Sequence, residues 1–204
     1  MGVDLRAHAT PAVSQVAGMR SFVVLANGLK LHGMRWDEQG AGTPTLLLHG
    51  LASNARIWER TAPMLALGGL APIALDLRGH GLSDKPDEGY DWATVTEDIR
   101  AAVRTLGLDR PIVVGHSWGA GLALHLAAAG LGGGARPRGV VVIAGGISQL
   151  DVLPGATRER VSEPLAPPPL AGMRREELLR RLSDPSRRWQ PDAQSLDITL
   201  ANFE

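Results

Sequence analysis

The chain has 204 residues, enough for one sizeable hydrophobic core and, by default, one domain. Its 21 basic and 21 acidic residues cancel, so nothing global steers it toward nucleic acid or an anionic membrane surface. It contains no cysteine, which excludes disulfides and thiolate metal sites and says nothing of the redox compartment.

Residues 1–20 read as a loose leader without the apolar stretch of a secretory signal. No later run approaches the ~18 uninterrupted apolar residues of a membrane span, so the expectation is a soluble, cytoplasmic protein. From Ser21, two strand-like runs flank Asn27-Gly28, a strong hairpin signal. "TPTLLLHG" is a continuous apolar run, as in a strand buried on both faces. "RIWERTAPMLAL" places Ile57, Met64 and Leu65 at roughly helical spacing, and "APIALDLRGHG" is a second buried strand leading into a polar loop. "TVTEDIRAAVRTLG" lines Val95, Ile99, Ala102, Val103 and Leu106 along one helical face, with Gly107 as the stop. "RPIVVG" and "RGVVVIAGG" read as a third and a fourth buried strand, with the helix "SWGAGLALHLAAA" between them.

Apolar strands alternating with amphipathic helices predict an α/β fold. Its sheet is mostly parallel, with helices on both faces and an N-terminal antiparallel hairpin. The core spans 21–150. Residues 151–204 are proline-rich and then helical in short pieces: Leu178, Leu179 and Leu182 can share one face, and Leu196, Leu200 and Phe203 another. This segment fits a partial helical cap or lid, with a disordered tail as the alternative.

Chemistry concentrates at Gly115-His116-Ser117-Trp118-Gly119, a G-x-S-x-G pattern between a strand and a helix. A nucleophile on so sharp a turn is held in a strained conformation, and flanking glycines let the chain pass closely. The helix that begins there aims N–H groups at developing negative charge, with the Trp118 N–H as one oxyanion donor. A serine capping an ordinary helix satisfies the same pattern. His49-Gly50-Leu51, directly after an apolar strand, would supply the second donor from Leu51. An ordinary loop with Ser53 or Asn54 as helix cap is compatible with that reading. Trp118 fits either a pocket wall or core packing.

In this order and spacing, "LLLHG", "LDLRGHGLSDKP" and "VVGHSWGA" resemble the α/β-hydrolase superfamily, over roughly Ser21 to Gly146. The resemblance implies a serine hydrolase site at the carboxyl ends of the parallel strands, and a structural role for Asp76 and His80 near the pocket mouth. Haloalkane dehalogenases and epoxide hydrolases of this fold carry an aspartate where this chain has Ser117. Ester or related acyl chemistry on a small-molecule substrate is therefore favoured, without cofactor or metal.

A serine hydroxyl needs a histidine to take its proton, and that histidine needs an orienting acid. The resemblance implies the chain order Ser, acid, His. Of the six histidines (His8, His32, His49, His80, His116, His125), only His125 follows Ser117. It lies about two helical turns (~12 Å) further on. Asp151 follows a strand and is either the acid or a loop residue opening the cap. The resemblance implies two further strand–helix units carrying the acid and the histidine, so the chain is expected to lack the last strands of the fold. Losing the triad histidine of a serine protease costs roughly 10⁶ in kcat, so near-inactivity is expected. "GVVVIAG" would then be an exposed apolar edge prone to self-association. A non-catalytic, ligand- or partner-binding relative is the competing reading.

Overall fold

Asn27 and Gly28 both take positive φ, 50° and 79°, the backbone that lets a two-residue loop match the twist of its flanking strands. β1 (Arg20–Ala26) and β2 (Leu29–Arg35) pair antiparallel around it, Ala26 opposite Leu29. The computed structural model describes residues 18–36, 42–145, 174–182 and 192–200. Beyond the hairpin come β3 (Thr43–Leu48), β4 (Leu70–Leu75), β5 (Ile112–His116) and β6 (Gly139–Ile143), giving the sheet order β1-β2-β4-β3-β5-β6. β2 meets β4 antiparallel, and β4, β3, β5 and β6 run parallel to one another. The fold is therefore the expected α/β architecture with a mostly parallel sheet.

Alternation along the strands divides the core in two. Leu46, Leu48, Leu75 and Val113 face the cluster that holds Val95, Ile99, Leu122 and Leu126. Leu47, Ala74 and Val114 face the opposite cluster, with Met34, Trp36, Trp58 and Ala62. A period of two thus buries both faces of one apolar run.

The helices supply those faces. Asp91 caps α2 (Trp92–Thr105) by accepting from the Thr94 N–H at 3.0 Å. Gly107, at φ 64°, ends the helical path. α3 (Trp118–Ala129) follows β5 directly. The helix expected across "RIWERTAPMLAL" divides instead. Asn54 Oδ1 accepts from the Arg56 N–H and opens a single 3₁₀ turn, Ala55–Trp58; α1 (Ala62–Leu67) then starts afresh. Pro63 is the physical reason. It has no N–H to bond back along the chain and its ring crowds the preceding turn, so it belongs in a first turn. Met64, placed on the apolar face by spacing alone, is 44% exposed.

In the 151–204 segment, α4 (Arg175–Leu182) and α5 (Ala193–Leu200) are helical. α5 is held to the 54–60 segment. Ile198 and Leu200 are buried, Asn54 Nδ2–H donates to the Ile198 carbonyl at 2.8 Å, and Arg56 pairs with Asp197 at 2.8 Å. Asp151 and Phe203 lie outside the described residues, as do the Leu178 and Leu182 side chains. No helix among the described residues is long and apolar enough to cross a membrane.

Candidate active site

β3 has β4 on one side and β5 on the other, so the direction of strand addition reverses there. The crevice beyond the carboxyl ends of β3 and β5 is where an open α/β sheet leaves room for a ligand. Both sequence motifs arrive at this place, His49-Gly50-Leu51 from β3 and Ser117 from β5.

Ser117 occupies the turn between β5 and α3 at φ 52°, ψ −114°, a conformation that side-chain-bearing residues rarely adopt. Its side chain does not cap the helix, so the cap reading of this serine fails. The residue is exposed, and its own N–H donates to the Ile143 carbonyl at 2.9 Å, tying the turn to β6.

Three glycines make the turn possible by what they lack. A Cβ on Gly115 would strike the Gly119 backbone, and one on Gly119 would strike the Leu48 carbonyl and lie 2.6 Å from that of His49. A Cβ on Gly50 would sit 3.0 Å from Ser117 Cβ and 3.2 Å from His116 Nδ1. The loop after β3 therefore lies directly against the serine. His116 Nδ1 itself is buried with no hydrogen-bond partner among the described residues.

His49 is fully buried, with both ring nitrogens engaged. The Leu77 N–H donates to Nε2 at 3.0 Å, which leaves the proton on Nδ1, donated to the Gly50 carbonyl at 2.7 Å. Burial, and then the neighbouring His80, push its pKa down to about 3. His49 is a neutral strut.

The "LDLRGHG" loop closes one side. Asp76 Oδ1 accepts from the Ala55 N–H at 2.6 Å, and Oδ2 from the Leu82 N–H at 2.9 Å and from His32 Nδ1–H at 2.7 Å. Burial alone would raise this carboxyl's pKa; the hydrogen bonds from His32, Ala55 and Leu82 outweigh it and hold the group below its usual range. Arg78 forks onto Asp98 of α2 through Nε at 2.6 Å and Nη2 at 2.8 Å, both side chains buried. His80 Nδ1–H donates to the Arg78 carbonyl at 2.9 Å, and burial lowers the pKa of the ring.

An aromatic row runs past the serine. His80 stacks on Trp118 with ring centres 5.8 Å apart, Trp118 meets Trp92 at 6.0 Å, and Trp92 stacks on His125 at 5.3 Å. Trp118 is half-buried and packs on the core, as its core-packing reading expects. His125 is exposed at the far end of this row. Trp92 and His80 were not singled out as neighbours of Trp118 from sequence. Only a glycine at 121 hints at Trp92, whose ring would lie 2.6 Å from a Cβ there. Among the described residues, the Ser117 hydroxyl has no histidine partner, and no group of three or more His, Asp or Glu could hold a metal ion.

The alpha/beta hydrolase family model matches residues 45–202. A soluble epoxide hydrolase of Corynebacterium is 39% identical over 103 residues, 50% of this chain and 35% of that protein. The 2-(acetamidomethylene)succinate hydrolase of Mesorhizobium japonicum is 43% identical over 83 residues, 41% of this chain and 30% of that protein. The crystal structure of an alpha/beta hydrolase from Novosphingobium aromaticivorans superposes with a TM-score of 0.55 at 30% identity, covering 62% of this chain and 44% of that one. The chain spans about a third of the length of the curated relatives it matches. With both motifs converging on one crevice and the family model spanning most of the chain, the protein belongs to the alpha/beta hydrolase family.

Proposed function

We propose that this chain carries the nucleophile and the oxyanion site of a serine hydrolase acting on an ester or a related small carbonyl substrate. The carrying observation is Ser117 itself, a side-chain-bearing residue held at φ 52° on a turn whose glycines admit no substituent. Such strain persists only where the surroundings over-determine it, and it lifts the hydroxyl out of the sheet. Ser117 Oγ attacks the substrate carbonyl carbon, and the oxygen that gains negative charge is met by two backbone N–H groups. One belongs to Trp118, in the first turn of α3, where no intrahelical acceptor is available. The other belongs to Leu51. His49 Nδ1–H holds the Gly50 carbonyl, and in a trans peptide the Leu51 N–H points the opposite way, out of the buried core.

The proton leaving Ser117 needs a base, and His49 cannot be that base, because both its nitrogens are engaged. With oxyanion donors and binding alone, catalysis falls to roughly 10³–10⁴ over water. Turnover by these residues is therefore slow. Serine cannot form the carboxylate-derived ester on which aspartate nucleophiles rely, which separates this chain from epoxide opening. A non-catalytic binding role is the second reading, favoured by the missing histidine partner of Ser117 among the described residues. Treatment with a fluorophosphonate probe and peptide mapping decides between them. Adduct on the Ser117 peptide, absent in Ser117→Ala, supports the hydrolase; an unlabelled Ser117 peptide favours the binding role.

A further inference from the structure

A second hydroxyl–imidazole–carboxylate chain lies in this molecule, away from the G-x-S-x-G turn. Ser21, the second residue of β1, is exposed, and its Oγ is 2.7 Å from His32 Nε2. The other ring nitrogen of His32, Nδ1, is 2.7 Å from Asp76 Oδ2. The hairpin register explains the meeting. Val23 lies opposite His32, and Ser21, two residues along, shares its face of the sheet. The Asp76 N–H donates to the His32 carbonyl at 2.9 Å, which brings the end of β4 beside the ring.

The direction of the hydrogen bonds can be assigned. Asp76 is a carboxylate that already accepts from the Ala55 and Leu82 N–H groups. It can only accept from His32, so the imidazole proton sits on Nδ1, and in the neutral ring the Nε2 lone pair faces the Ser21 O–H. This is the orientation in which an imidazole removes a serine proton. The side chains of His32 and Asp76 are only 10% and 3% exposed, while Ser21 itself is an exposed residue.

We infer that Ser21 is a second acyl-acceptor site, with His32 as its base and Asp76 as the residue that positions the ring. Ser21 Oγ attacks the acyl carbon and its proton passes to His32 Nε2. The bond to the leaving group breaks, the leaving group departs with the electron pair, and the imidazolium returns its proton to that group or to water. Ser21 sits on a strand rather than at a helix N-terminus, so the transient oxyanion is stabilised by solvent. The site is therefore restricted to activated donors such as aryl esters, whose leaving groups depart without protonation. This inference is independent of the reading of Ser117.

The test uses the full chain carrying Ser117→Ala, treated with p-nitrophenyl acetate and mapped by mass spectrometry. Acetylation of Ser21 is expected to exceed that of Ser53 and Ser195 by about 10-fold or more, since general-base assistance typically gives roughly 10²–10⁴-fold. It is expected to disappear in Ser21→Ala and to drop by at least about 10-fold in a folded His32→Gln protein. A Ser21 rate no higher than that of Ser53 and Ser195, or undiminished in folded His32→Gln, overturns the inference. Should His32→Gln not fold, comparison in urea decides. A merely exposed serine reacts as fast or faster once the chain unfolds, whereas a relay-activated one slows.

Discussion

Ser117 concentrates strain in one residue. A non-glycine residue at φ 52°, ψ −114° costs on the order of 1–3 kcal/mol. Glycine carries no such penalty, so Ser117→Gly should be more stable than Ser117→Ala by about 1 kcal/mol. Urea denaturation of the two variants checks this, and an alanine variant as stable as the glycine one would refute the strain. His49 sets a second expectation. Its pKa is about 3 in the folded chain and ~6.5 in an unfolded one. The unfolded chain therefore takes up a proton as pH falls through ~6.5 while the folded chain does not. The stability contributed by neutral His49 is full above that range and is lost as pH falls toward 3. His80, also lowered by burial, has the same sign, and the depressed carboxyl of Asp76 adds to it at lower pH. Urea midpoints should decline steadily from pH 7 to pH 4, less steeply in His49→Asn; a flat profile would contradict this account.

At the scale of elements, the "LDLRGHG" loop is bolted to α2 through Arg78 and Asp98. The pair is buried and bidentate, and Asn27 Nδ2–H adds a hydrogen bond to Asp98 Oδ1 at 2.8 Å. Removing one partner of such a pair leaves a buried charge, at a cost of roughly 3–5 kcal/mol. Arg78→Ala should lower the melting temperature sharply. Arg104→Ala, which breaks only an exposed pair with Glu97, should cost less than about 1 kcal/mol. Equal effects of the two would show that the loop is not anchored this way. The segment 55–67 teaches a related lesson. Its apolar spacing suits one helix, yet Pro63 restarts it after a 3₁₀ turn, and the freed 54–60 stretch is what α5 docks on.

For the molecule as a whole, β6 is one of the two edge strands of the sheet among the described residues, β1 being the other. α3 packs against β6 and Val140 reaches the core, yet Val141, Val142 and Ile143 are 46%, 39% and 40% exposed, so this run, which reads as a buried strand in the sequence, is only partly covered. An apolar strand with an open ladder is a template for pairing with another chain. Light scattering should show concentration-dependent association of the chain, reduced by Val141→Lys. A monomer at high concentration would count against the proposal.

Local patterning settled much before any tertiary structure. Asn27-Gly28 required positive φ and so a hairpin, the apolar runs of β3, β4 and β5 suited strands covered on both faces, and G-x-S-x-G placed Ser117 between a strand and a helix. These are period and turn effects, carried by residues within one or two turns of each other. What only the folded chain decided depends on contacts between residues distant in sequence. His49 became a neutral strut because the Leu77 N–H and the Gly50 carbonyl take both its nitrogens. Trp92 reached Trp118 across two helices, and Ser21 met His32 and Asp76 through strand register and the approach of β4. Ionisation states and proton directions follow from burial and partners, and neither is written in the spacing of residues along the chain.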